Sequence, residues 1–367
     1  MKVGIVGLPL VGKSTILNLL TRGHVDTTSW GGSKGEAHIG VAQVPDSRLD
    51  RLAGIVHPKK VTYATVEYVD LPGLARGEAR GEESREIGTY LTSLKNAEAL
   101  LQVVRAFEDE NIPHSEGTID PRRDIGLFEL EMMFSDLAII DKRLERVSKD
   151  LKKAKTSDLE LEHAVLTRFR VALEQEKPLR DLTLTDEELK RVKGFTFLSA
   201  KPMLIVLNLG EQDIARIQGV VAEFGLERHA ARKNVAVTAV CGKIEAEIAA
   251  LPDEDAKLFM DDLGLTSSGL ARIIQESYSL LGLFSFYTAG EPEARAWTVP
   301  KNTTAQQAAG VIHSDFERGF IKAEVVAYDD MIQYGSFPAA RSKGVLRLEG
   351  KDYVVHEGDV ILFRFNV

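Results

Sequence analysis

The chain has 367 residues, a length that suits two or three domains. Hydrophobic residues at 44% and charged residues at 28% exclude wholesale disorder, and the single cysteine, Cys241, excludes a disulfide within the chain and fits a reducing compartment. Lys plus Arg is 46 against 55 Asp plus Glu, a net charge of −9, so any RNA contact needs a local basic face rather than a global basic field.

Residues 2–6 form a short β-branched run of the kind expected of a central parallel strand. The run continues into Gly12-Lys13-Ser14-Thr15, not into a cleavage site. No apolar run reaches the roughly 18 residues of a membrane span. The protein is therefore expected to be soluble and cytoplasmic, with no membrane partner. A helix is expected from Lys13 to Thr21, then a glycine-containing loop over 24–38, strands at 39–44 and 62–69, a second loop over 71–86, a helix to Asn96 and a strand at 99–104. This alternation predicts an α/β fold with a doubly wound sheet.

Leu130, Met133, Leu137, Ile140, Leu144, Val147 and Leu151 then recur at spacings of three and four, a heptad seam. Thr156-Ser157-Asp158 interrupts it, and a second seam follows at Leu159, Leu166, Phe169 and Leu173. Two seams joined by a short turn predict an antiparallel helical hairpin. It is either a structural element or a docking arm, since its first helix displays Lys142, Arg143, Arg146, Lys149, Lys152, Lys153 and Lys155. Thr185 and Glu188 form a capping box. Strands at 203–207 and 235–238 resume the α/β pattern, so the hairpin is inserted rather than appended. Strands at 284–288, 295–299, 320–327, 345–348 and 359–366 with a helix at 304–313 predict a small α+β module. The expected division is 1–122 and 196–282 for a nucleotide-binding domain, 123–195 for the helical insertion and 283–367 for the C-terminal module.

Gly7-Leu8-Pro9-Leu10-Val11-Gly12-Lys13-Ser14 fits G-x-x-x-x-G-K-[ST] between a predicted strand and a predicted helix. Glycines let successive N–H groups converge on an anion, and the following helix adds its positive end. Lys13 reaches the β- and γ-phosphates and Ser14 is a Mg²⁺ ligand. Asp70, ending an apolar strand in Asp70-Leu71-Pro72-Gly73, is placed to hold Mg²⁺ through water, and the Gly73 N–H to meet a γ-phosphate. The substrate is thus a nucleoside triphosphate.

Where GTPases carry Asn-Lys-x-Asp, this chain reads Asn208-Leu209-Gly210-Glu211. The aspartate of that motif accepts from guanine N1–H and N2–H₂, donors that adenine lacks. Its loss favours ATP, with Asn208 and nearby carbonyls meeting the adenine amino group. The alternative is a divergent guanine site in which Glu211 still accepts both bonds.

These motifs, with Pro45-Asp46-Ser47-Arg48-Leu49, Thr288-Ala289-Gly290-Glu291, the stretch from Gly310 to Phe320 and the terminus from Leu348 to Val367, resemble the YchF or Obg-like ATPase family along nearly the whole chain. The resemblance implies a P-loop NTPase domain, a coiled-coil insertion and a ubiquitin-like TGS domain. It further implies ATP preferred over GTP, association with the ribosome (the large subunit or the 70S particle), and a regulatory role in translation or stress. RNA contact would run through the basic hairpin and the TGS domain. Leu74 stands where related GTPases have a water-orienting glutamine, and the resemblance points instead to a loop histidine, here His114, whose imidazole is suited to accept a bond from water.

The nucleotide-binding set implied by the family comprises Gly7 to Thr15, Gly73, Asn208, Leu209, Glu211, Cys241 and Gly242. Cys241 itself is expected to be a small packed residue. The chain departs from the family at Leu10, at Lys34 in the first switch, at Gly81-Glu82-Glu83-Ser84-Arg85-Glu86 in the second, and at Gly242. Those departures bear on hydrolysis more than on binding. A slow ATPase, a GTPase and a nucleotide-binding adaptor with little hydrolysis all remain open.

Overall fold

A computed structural model describes residues 1–21, 38–70 and 94–366. The positions named above at Lys34, Gly73, Leu74 and Gly81 to Glu86 lie outside the described residues, as do both expected loops over most of their length. The chain divides into two compact units, Met1–Val41 with Glu67–Ile273, and Ala42–Val66 with Ile274–Val367.

The first unit is built on a six-stranded sheet. Its strands are β1 (Lys2–Val6), β2 (His38–Gln43), β4 (Thr65–Asp70), β5 (Ala99–Ala106), β6 (Met203–Leu209) and β7 (Val235–Val240). They are ordered β2-β4-β1-β5-β6-β7. The pairings β1–β4, β1–β5, β5–β6 and β6–β7 are all parallel, with Val3 opposite both Tyr68 and Ala99. Every residue of β5 and β6 is buried, as a strand covered on both faces requires. Strand order reverses at β1, so the crevice of this doubly wound sheet opens at the carboxyl end of β1. The phosphate-loop motif begins there, and helix α1 (Lys13–Leu20) follows it.

Between β5 and β6 the chain leaves the sheet as two long helices, α3 (Pro121–Lys153) and α4 (Ser157–Glu174). Asp120 caps α3 by accepting from the Arg123 N–H, and Pro121 occupies its first turn, where no N–H is needed. The hairpin therefore starts well before the heptad seam. Thr156 caps α4 by accepting from the Leu159 N–H. Ion pairs Arg143–Glu162 and Arg170–Asp141 join the two helices in antiparallel sense. Met133, Ile140, Leu166, Phe169 and Leu173 form the seam's core, with Leu130, Leu137 and Leu144 packed against it. The buried Asp136 carboxylate fixes the root of the hairpin by accepting from the Leu198 and Ser199 N–H groups at 2.9 and 2.7 Å. After the hairpin, β6 and β7 extend the same sheet beyond β5.

In the second unit, β3 (Val61–Thr62), β8 (Leu283–Ala289), β9 (Ala294–Pro300), β10 (Phe320–Val326), β11 (Arg347–Glu349) and β12 (Val360–Phe365) form a sheet ordered β11-β10-β12-β8-β9-β3. A helix at Ala305–Ile312, started by a Thr304/Gln307 capping box, covers a core of Phe284, Phe286, Val299, Ala308, Val325 and Phe363. Two sequence expectations change here. The run 62–69, read as one strand, is two: β3 pairs with β9, while β4 belongs to the other sheet, and the Ala64 carbonyl at the break accepts from the Val44 N–H. Residues 42–66, expected in the nucleotide-binding part, group with the C-terminal residues, because helix α2 (Ser47–Val56) packs on β8 and β9. Asp46, which caps α2, also accepts from the Tyr287 hydroxyl at 2.5 Å.

Candidate functional site

The loop after β1 has the backbone that its glycines permit. Gly7 and Gly12 sit at φ +143° and +97°, and a Cβ on them would meet the Val103 carbonyl oxygen at 2.3 Å and Asn208 Nδ2 at 2.5 Å. Both positions therefore need glycine for conformation and for space. Leu10 adopts φ 61° and is exposed at the loop tip. The Lys13 ammonium folds back over the loop and donates to the Gly7 and Leu8 carbonyls at 2.9 and 2.8 Å. Burial pulls its pKa down, against the opposing pull of Asp70.

Ser14 Oγ donates to Asp70 Oδ2 at 2.8 Å, so the first turn of α1 and the end of β4 meet as the motifs require. The other carboxylate oxygen, Asp70 Oδ1, is buried and has no hydrogen-bond partner among the described residues. One hydroxyl beside one carboxylate with an unsatisfied oxygen is a hard donor set. It fits Mg²⁺, which keeps several waters and takes the rest of its shell from substrate phosphates. No cluster of three or more His, Cys, Asp or Glu occurs among the described residues, so a metal caged wholly by such side chains has no seat there.

A cavity of about 490 Å³ opens beside this loop. Leu10, Gly12, Lys13, Ser14 and Thr15 line one part of it; Asn208, Leu209, Gly210, Glu211, Gln212, Gly242 and Lys243 line another, and Phe107, Glu108, Asp109 and Ile112 complete the wall. Of the residues expected from sequence, Gly7, Leu8, Pro9 and Val11 shape the loop without lining the cavity. Cys241 is buried in a core with Ile244 and Ile248, where burial pushes its thiol pKa up. Sequence reasoning misses the wall from Phe107 to Ile112, together with Gly210, Gln212 and Lys243. The wall's one signal is position: it follows β5 at the carboxyl edge of the sheet.

Two expectations change in their chemistry. Asn208 lines the cavity, but its amide is already engaged within the protein. Its Nδ2 donates to the Val11 carbonyl at 3.0 Å and its Oδ1 accepts from the Gly242 N–H at 3.2 Å, with the residue 6% exposed. It ties the phosphate loop to the start of the helix Gly242–Ile248. His114 does not line the cavity. Its Nδ1 accepts from the Glu116 N–H at 3.1 Å and its Nε2 lies 3.0 Å from Asp124 Oδ2, both side chains being almost wholly buried. The first turn of α3 gives the ring a deeper berth than the loop's polar sequence suggests. Glu211, at the cavity mouth, lies 3.4 Å from the Lys243 ammonium.

Known proteins resemble this chain along its whole length. A family model described as 50S ribosome-binding GTPase matches residues 2–128. The model of the YchF GTPase C-terminal family, described as Protein of unknown function (DUF933), matches residues 283–366. A ribosome-binding ATPase YchF of Bacillus subtilis (strain 168) is 43% identical over the whole of both chains. That of Escherichia coli O157:H7 is 40% identical over all of this chain and 99% of its own. The solved YchF GTPase of Schizosaccharomyces pombe superposes with a TM-score of 0.85 at 29% identity, covering 99% of this chain and 97% of that one. No helix among the described residues is long and apolar enough to cross a membrane. With such similarity from end to end, the chain belongs to the YchF family.

Proposed function

We propose that this protein is a Mg²⁺-dependent, ribosome-associated ATPase that acts as a regulator of translation or stress response in the cytoplasm. The observation that carries the reading is the Ser14–Asp70 contact beside the Lys13-bearing loop, which joins the parts needed to hold a triphosphate and its metal. Ser14 and Asp70 would hold Mg²⁺, which neutralises charge on the β- and γ-phosphate oxygens. Lys13 would exchange the Gly7 and Leu8 carbonyls for phosphate oxygens, a stronger pairing for a partly desolvated ammonium. Attack of water on the γ-phosphorus then releases ADP and phosphate. The Gly73 N–H and a repositioned His114 are the groups we assign to the γ-phosphate and to the water.

ATP is favoured over GTP because the Glu211 carboxylate is turned toward Lys243, and Leu209 offers no polar group in place of the usual lysine. The curated relatives are named ATPases. A GTPase reading rests on Glu211 lining the cavity, where its carboxylate is an acceptor suited to guanine N1–H and N2–H₂. An adaptor with little hydrolysis rests on the burial of His114 against Asp124. For the ribosome, the large subunit or the 70S particle, we assign the contact to the hairpin's basic residues and the TGS domain. Parallel titration of ATP and GTP into purified protein, with single-turnover hydrolysis of each, tests the reading: tighter and faster ATP supports it, tighter GTP refutes the base argument, and retention of neither nucleotide refutes the whole.

A further inference from the structure

The cavity wall at residues 107–113 belongs to no helix or strand. One side chain grips it from behind. Arg105, near the end of β5, is 2% exposed and carries its charge into the interior. Its Nε donates to the Phe107 carbonyl at 3.0 Å, its Nη1 to the Ile112 carbonyl at 2.9 Å and its Nη2 to the Asp109 carbonyl at 3.4 Å. The guanidinium carbon lies 4.5 Å from the centroid of the Phe107 ring.

Three carbonyls of one irregular segment thus turn inward onto one planar cation, which also covers an aromatic face. A lysine cannot reproduce this, because its ammonium is a point donor without a fork or a stacking plane. Removing the guanidinium would leave three turned-in carbonyls without their donor, and they would seek water by moving the segment. Phe107, Asp109 and Ile112 line the cavity, so any such movement changes the shape of its wall.

We propose that Arg105 is a positioning residue for the nucleobase. It sets the wall formed by Phe107 and Ile112 at the distance an aromatic base needs, and so contributes to affinity for the base without touching the nucleotide. The proposal rests on the nucleotide reading above. It also separates two parts of one ligand: the phosphates depend on Lys13 and Ser14, whereas the base depends on a loop fixed from behind.

The test uses the full chain and two probes, a fluorescent ATP analogue and inorganic tripolyphosphate competing with it in magnesium buffer. Arg105→Met is expected to weaken the ATP analogue by about tenfold, within the range of base–aromatic stacking, and to leave tripolyphosphate affinity within about twofold of wild type. Arg105→Lys keeps the buried charge and guards against a variant that fails to fold; it should show the same split. Adding Phe107→Leu to either variant should weaken the ATP analogue little further, since both changes act through one wall. Equal weakening of both probes overturns the proposal and makes Arg105 merely structural, as does an unchanged ratio. A wild-type chain that retains neither probe overturns the nucleotide reading and this inference with it. A wild-type chain that binds both while Arg105→Lys keeps its ratio overturns this inference alone.

Discussion

His114 Nε2 lies 3.0 Å from Asp124 Oδ2, in a pocket where the two side chains are 4% and 3% exposed. Arg123 braces the same carboxylate, donating to Asp124 Oδ1 through Nε at 2.9 Å and Nη2 at 2.8 Å, and it also grips the Thr118 carbonyl. The histidine is therefore parked on the first turn of α3, and the water-positioning role requires it to leave. The two facing atoms make no hydrogen bond, so the carboxylate's field and burial alone hold the ring, and removing that charge should raise the population of the released ring by up to about tenfold, the equivalent of about 1.4 kcal/mol. Asp124→Asn is expected to speed single-turnover ATP hydrolysis by that factor. The gain should vanish in the His114→Ala, Asp124→Asn double variant. A rate in Asp124→Asn at or below wild type would show that the pairing does not restrain catalysis.

Asn208 makes a different prediction from the one its sequence motif suggests. A residue reading the adenine amino group would, when removed, weaken ATP and leave GTP alone. An amide bridging the Val11 carbonyl and the Gly242 N–H supports both purines equally. Asn208→Ala should weaken both nucleotides about tenfold or more and lower stability by about 2 kcal/mol, two hydrogen bonds at about 1 kcal/mol each. Isothermal titration with each nucleotide and a denaturant midpoint check the two halves separately. An effect confined to ATP would restore the reader's role.

Much of the architecture is legible in the chain because it rests on local rules. The Gly7 and Gly12 spacing, the heptad seam from Leu130 to Val147 and the buried runs of β5 and β6 each follow from backbone conformation or periodicity. What sequence reasoning misses depends on contacts across distance. Asn208 meets Val11 across 197 positions and Gly242 across 34, and no pattern around Asn208 announces either. The Arg105 clamp is nearly local, within seven positions, but an arginine after an apolar strand reads equally well as a solvated strand end. The break at Tyr63-Ala64 is invisible in a run of strand formers, since only pairing decides that β3 and β4 join different sheets. His114 stands out by its place in a loop, while its partner Asp124 is concealed in the start of a helix whose heptad pattern begins later.

The hairpin's basic display is narrower than its sequence suggests. Arg143 pairs with Glu162, Lys149 with Glu145 and Lys153 with Asp150. Lys142, Arg146, Lys152 and Lys155 are exposed on the same helix and its end. If the hairpin grips ribosomal RNA, changing these four to Glu should reduce co-sedimentation with ribosomes. It should also flatten the salt dependence, by about 0.7–0.9 in the log–log slope for each phosphate that is no longer neutralised. Changing Lys149 and Lys153 alone should do less, because their charges are already partly neutralised. Unchanged pelleting of the fourfold variant would assign the contact to the TGS domain.

The last prediction concerns acid. His229 is half-buried, and its Nδ1 is buried with no hydrogen-bond partner among the described residues. Burial lowers its pKa from the ordinary 6.5; Glu129 and Asp181 pull it upward, while Arg232 and Arg122 push it further down. The folded protein thus binds a proton at this site less readily than the unfolded chain does. Stability from the neutral ring is intact above about 6.5 and declines as pH falls below it toward the lower folded value, because the unfolded state gains protons first. The Tm should drop between pH 7 and pH 5.5. His229→Gln has no proton to gain in that window and should make the drop smaller. An equal drop in wild type and His229→Gln would move the acid sensitivity to other groups.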